Sequence, residues 1–140
     1  MKKVIKIIIV DDDVLFRKGI SFLLDREKNI NIISQAANGG ELLNILENNQ
    51  DNHPDIIIMD LRMQGINGIE ATKIIHTLYP KIKIIALTSY NSESFVSNMI
   101  AIGASGYLVK NSTPHELLNT INEVAIKGFF YPDYIIKNKY

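Results

Sequence analysis

Apolar residues arrive in short unbroken runs separated by longer amphipathic stretches. Val4 to Val10, Asn31 to Ala37, Ile56 to Asp60, Ile82 to Leu87 and Gly106 to Val109 are the runs. Continuous apolar segments of this length read as strands buried on both faces, as in a parallel sheet. Between them lie segments with helical spacing: Val14 to Arg26 (Leu15, Ile20, Leu23 and Leu24 apolar), Glu41 to Glu47, Ile69 to Tyr79 ahead of Pro80, Ser92 to Ile102, and Thr113 to about Lys127. Asp13 is placed to cap the first of these, and Asn38-Gly39-Gly40 breaks the second strand ahead of the second helix. Gly65 to Gly68 forms the turn behind Ile56 to Asp60, and Gly103 closes the fourth helical segment. Thr113-Pro114-His115-Glu116 reads as a capping box with proline in the first turn, and Gly128 as the stop. Five strands alternating with five helices predict an α/β fold, a parallel sheet with right-handed crossovers and helices on both faces.

That pattern gathers polar residues. The strands end at Asp11-Asp12-Asp13, Asp60, Thr88 and Lys110, while the second ends in Ala36-Ala37 and contributes nothing. In a parallel sheet these ends share one edge, where open α/β folds place their ligands. Clustered carboxylates repel by roughly 4 kcal/mol per close pair at an effective dielectric near 20. A divalent cation or a lysine relieves this, and all-oxygen ligands suit Mg²⁺. A cation, Lys110 and the Thr88 hydroxyl beside Asp60 form a setting for a transferring phosphoryl group, with Asp60 as nucleophile. A lone Asp after a strand is more often a turn or capping residue; the convergence of five such residues favours a site.

Composition narrows the classes. In 140 residues, 46% apolar and 21% charged, a single well-cored domain is expected. A formal net charge of zero argues against nucleic-acid binding by bulk electrostatics, and the lack of cysteine excludes disulfides and thiolate sites. The apolar run Ile7 to Val10 is too short for a signal peptide, and no stretch has the length of a membrane span, so a cytoplasmic location is expected. His53, His76 and His115 have no metal-ligand spacing.

At these residues the chain resembles a response-regulator receiver domain over about residues 4 to 127. Val10-Asp11-Asp12 resembles the family's acidic pair, PDIIIMDLRMQGINGIEATKII its phosphoacceptor segment, IIALTSY its switch threonine, and GASGYLVK its switch aromatic and lysine. The resemblance implies a flavodoxin/CheY-like sheet of order 2-1-3-4-5. It implies Asp60 as acceptor of a phosphoryl group from a histidine kinase. Asp12, Asp60 and the Arg62 backbone carbonyl would hold Mg²⁺, Asp11 acting through water, and Thr88 and Lys110 would contact the phosphoryl oxygens. Tyr107 would swing inward as Thr88 moves, and Arg62 and Tyr90 would tune the phosphoryl lifetime by gating water. LFRKGISFLL and KGFFYPDYI further resemble the NarL/FixJ-type subfamily, whose members usually continue into a LuxR-type helix-turn-helix. On that basis residues 1–127 form the receiver and 128–140 a tail or the start of a connector to an output domain. DNA would be reached only through that output domain. Pairing between copies, under phosphorylation, is expected through Ser92 to Ile102 and Thr113 to Lys127.

This sequence departs from the subfamily at Asp13, where His is common, at Val14, where Pro is common, and at Gln64, which replaces a common Pro. IIIVDDDVL also resembles the first motif of haloacid-dehalogenase-type phosphatases, with Asp11 as nucleophile and Asp13 as acid/base. That mechanism needs a late acidic pair, and Glu116, Glu123 and Asp133 are not at strand ends. A flavodoxin-like FMN binder would have three Asp facing its phosphate.

Overall fold

The structure is a computed structural model; it describes residues 3–61, 67–89 and 93–131, with the backbone alone at 93–95. The element order is β1 (Ile5–Val10), α1 (Val14–Asp25), β2 (Ile30–Ala36), α2 (Gly39–Asn48), β3 (Ile56–Asp60), α3 (Gly68–Leu78), β4 (Lys83–Thr88), α4 (Glu93–Ala101), β5 (Gly106–Val109) and α5 (Pro114–Lys127). The strands form one parallel sheet in the order β2-β1-β3-β4-β5, as expected.

Strand alternation divides the core in two. Ile8, Val10, Ile57, Met59, Ile84, Ala86 and Tyr107 face Leu42 and Leu46 of α2, Ala71 and Ile75 of α3, and Val96 and Met99 of α4. Ile7, Ile9, Ile56, Ile58, Ile85, Leu87 and Leu108 face Ile20 and Leu24 of α1 and Leu117, Ile121 and Val124 of α5. The amino edge is stitched by Asp55: its backbone N–H donates to the Lys6 carbonyl, its carboxylate accepts from the Lys6 N–H, and its carbonyl accepts from the Lys83 N–H.

Two expectations need correction. Leu15 is not on the buried stripe of α1; it is 84% exposed. The buried stripe runs through Ile20 and Leu24, with Phe16 one turn earlier packed against it, and Leu15 is rotated about 100° away with Gly19 and Phe22. Nor does α2 wait until Glu41: Asn38-Gly39-Gly40 follows the end of β2, as expected, but its glycines are already helical. Asn38 caps α2, accepting from the Glu41 N–H at 2.8 Å, and both glycines lie in its first turn.

The C-terminal helix follows the reading residue by residue. Thr113 and Glu116 form the reciprocal capping box, and Gly128 caps the other end at φ +89°, a conformation that costs glycine little. Packing then continues past residue 127. Phe130 pairs in parallel with Gly106 and donates its N–H to the Ser105 carbonyl, and the Tyr131 hydroxyl donates to the Ala104 carbonyl at 2.7 Å.

Candidate functional site

Asp11, Asp60 and Lys110 share the strand parity that faces α1 and α5, one position past Val10, at the end of β3, and one past Val109. Thr88, at the end of β4, has the opposite parity, that of Ala86. The ends are locked together by backbone bonds: Leu61 N–H to the Leu87 carbonyl, and Lys110 N–H to the Thr88 carbonyl at 2.8 Å. Asp11, Asp60 and Thr88 are all buried, and Asp12 is exposed.

Lys110 joins the carboxylates. Its Nζ lies 3.1 Å from Asp11 Oδ2 and 3.3 Å from Asp60 Oδ2. It also lies over the Phe16 ring, 4.7 Å from the centroid. Burial pulls the Lys110 ammonium down; the contact with Asp11 and the charges of Asp11 and Asp60 together outweigh it, and the net shift is upward. Lys110 is therefore a cation throughout the neutral range.

One ammonium leaves the cluster acidic. Ligand oxygens of Asp11, Asp12 and Asp60 lie within 4.8 Å of one another. Asp11 Oδ1 accepts from the Asp13 N–H at 2.9 Å, but among the described residues buried Oδ2 has no aligned hydrogen-bond donor, only the charge of Lys110. A buried carboxylate oxygen so placed, among three hard oxygen donors, fits a small divalent cation. Asp13 stands outside this group: its carboxylate caps α1, accepting from the Phe16 N–H at 3.1 Å. That contact gives Asp13 the capping role its place ahead of α1 suggests.

Around the site, α3 begins against the backbone of Asp60. A Cβ on Gly68 would meet the Asp60 carbonyl oxygen at 2.3 Å and Leu61 Cα at 2.7 Å. Asn67 caps this helix, and Thr72 Oγ1 donates to the Gly68 carbonyl within the buried turn. Tyr107 is fully buried, in register with Ala86 and packed on the α4 side of the sheet; it already occupies an inward position. Arg62, Gln64 and Tyr90 lie outside the described residues.

Residues 7–122, which contain every one of these side chains, match the response regulator receiver domain. The chain belongs to that family. Over 126 residues the receiver is 33% identical to the transcriptional regulatory protein DegU of Brevibacillus brevis, covering 90% of this chain and 52% of that protein. The receiver thus spans about half the length of the curated relatives it matches. Its fold superposes with a TM-score of 0.88 on a LuxR-family two-component response regulator from Aurantimonas sp., at 30% identity, covering 98% of this chain and 96% of the other. It superposes with a TM-score of 0.80 on a chain of the CheX-CheY-BeF3-Mg complex from Borrelia burgdorferi, at 26% identity, covering 86% and 88%.

Sequence reasoning missed Phe16, Arg17, Gln35 and Gly68. Phe16 and Arg17 are ordinary helix residues in the linear pattern; only the packing of α1 against the site brings them to Lys110 and Asp11. Gly68 carried a signal, a glycine opening a helix just behind Asp60, but read only as a turn residue.

Proposed function

We propose that this receiver accepts a phosphoryl group on Asp60 from the phosphohistidine of a sensor histidine kinase. An Asp60 carboxylate oxygen attacks phosphorus, the P–N bond breaks, and the histidine nitrogen leaves with the bonding pair. Asp11, Asp12 and Asp60, with the Arg62 carbonyl, would hold Mg²⁺, which supplies positive charge for the phosphoryl oxygens. Lys110 supplies a fixed second positive charge, and the Thr88 hydroxyl a hydrogen bond. The observation that carries this reading is the bridge from Lys110 to both Asp11 and Asp60 within a three-carboxylate cluster.

The acyl phosphate would then bias the Thr88 and Tyr107 face, changing how copies pair. Transcription would be regulated through an output domain beyond these residues, as the names of the relatives suggest. The protein is a regulatory phosphoacceptor and works in the cytoplasm; among the described residues no helix is long and apolar enough to cross a membrane.

The test is incubation with acetyl phosphate, with and without Mg²⁺, of wild type and Asp60→Asn, read by intact mass and light scattering. One Mg²⁺-dependent phosphoryl group on wild type and none on the variant is expected. Phosphoryl on the variant would remove Asp60 from the role, and no uptake by wild type would leave a receiver that acts through its surface alone.

A further inference from the structure

Asp11 has three oxygens, and each is held by a different partner. Oδ1 accepts from the Asp13 N–H, Oδ2 pairs with Lys110, and the main-chain carbonyl accepts from Arg17 Nη1. The third contact is unusual in origin. The Asp11 N–H still bonds to the Ala36 carbonyl, in continuation of the β1–β2 ladder. A parallel ladder would next bring the Asn38 N–H to the Asp11 carbonyl, but β2 ends at Ala36 and Asn38 turns the chain into α2 as its cap. The carbonyl of a nearly buried residue is thereby left to a side chain, and Arg17 supplies it. The guanidinium is itself fixed, its Nε donating to Gln35 Oε1 on β2 at 3.2 Å.

We infer that Arg17, braced by Gln35, is a positioning residue for the cation site: it fixes the Asp11-Asp12-Asp13 loop before a divalent cation arrives. The inference rests on the proposed cation site but not on phosphoryl transfer. A fork with two contacts sets orientation as well as charge. A lysine keeps the charge but cannot reproduce the planar two-point contact. Without the clamp the Asp11 carbonyl can turn away, and the cation must order the loop as it binds, which weakens affinity without changing the bound site.

The experiment uses the full chain, wild type, Arg17→Lys and Gln35→Ala. Mn²⁺ affinity is measured by electron paramagnetic resonance, and the Mg²⁺ dependence of phosphorylation by acetyl phosphate is followed alongside. For Arg17→Lys we expect Mn²⁺ binding weakened about 10-fold, the scale for groups that orient metal ligands, with a maximal rate at saturating Mg²⁺ within about two-fold of wild type. Gln35→Ala should shift Mn²⁺ binding the same way by less, and both should move the Asp13 amide resonance, which reports its bond to Asp11 Oδ1. Wild-type Mn²⁺ affinity in Arg17→Lys would overturn the inference, showing that charge alone suffices; so would a fall in maximal rate with Mn²⁺ binding unchanged. Should Arg17→Lys fail to fold, Gln35→Ala decides by the same Mn²⁺ criterion. If wild type binds Mn²⁺ but takes no phosphoryl group, the proposed function fails and the Mn²⁺ comparison still decides the role of Arg17. If wild type binds no Mn²⁺, both fail.

Discussion

Lys110 holds two buried carboxylates with one ammonium, and the Phe16 ring lies beneath that ammonium. A cation over an aromatic face contributes about 0.5–2 kcal/mol depending on desolvation. Phe16→Leu keeps an apolar side chain but removes the π face. It should lower stability by about 1–2 kcal/mol in urea denaturation, combining lost ring packing with the lost cation–π contact. Phe16→Tyr keeps the ring and should stay close to wild type. At this scale the sequence was most legible where a side chain ends a strand. Asp11, Asp60, Thr88 and Lys110 were readable because a parallel sheet forces strand ends together. Phe16 and Arg17 were not, because their contacts depend on how α1 is rotated against the sheet. Grouping Leu15 with Ile20, Leu23 and Leu24 as the apolar positions of α1 could not show that rotation, which leaves Leu15 exposed.

Elements set where these side chains stand. The amino end of α3 meets the backbone of Asp60 and Leu61 with no room for a β carbon at Gly68. The obstructing atoms are main chain, which cannot swing aside as a side chain does. Gly68→Ala should therefore cost about 1–3 kcal/mol, the range for overpacking a filled site. It should also slow phosphorylation at Asp60, because relief requires the end of β3 or the start of α3 to shift. A denaturation midpoint with a time course of uptake checks both. Thr113→Ala removes one half of the α5 capping box and should cost about 1 kcal/mol, read as a lower thermal midpoint, with uptake at Asp60 retained. The α5 boundaries were legible because threonine, proline, glutamate and glycine each act locally. The start of α2 was misread because Asn38-Gly39-Gly40 has two local meanings, a turn or a cap followed by glycine in the first turn, and packing of buried Gly39 decides between them.

At the scale of the whole molecule, the parallel sheet and the two-sided core follow from the alternation of strands and helices, whereas the strand order was expected only from the resemblance to the receiver family; the structure shows all three. The docking of residues 129–131 was not. It depends on the open edge of β5, which no local pattern advertises. Tyr131 anchors it, and burial pushes its hydroxyl above the ordinary tyrosine value of 10.0. A group whose pKa is higher folded than unfolded contributes stability below the unfolded value and loses it as pH rises through the folded value. Wild type should exceed Tyr131→Phe by about 1 kcal/mol at neutral pH, the usual net worth of one hydrogen bond. That margin should shrink above pH 10, as urea denaturation from pH 7 to 11 would reveal. An undiminished margin would mean that the hydroxyl does not titrate differently in the two states.

Exposed large apolar side chains among the described residues lie just before β1 (Val4), on α1 (Val14, Leu15 and Phe22), at the end of α3 (Leu78) and at the end of α5 and beyond (Ile126 and Phe129). The last of these adjoins the parallel bridge between Phe130 and Gly106. Through that bridge, tension applied beyond Tyr131 would enter the domain along the margin of β5, as a shearing load shared by the Phe130 and Tyr131 bonds. β5 carries Tyr107 in its interior and runs directly into Lys110. Mechanical work done on the end of the chain would thus have, beside the covalent route through α5, a second path to the charged centre along a single extended strand.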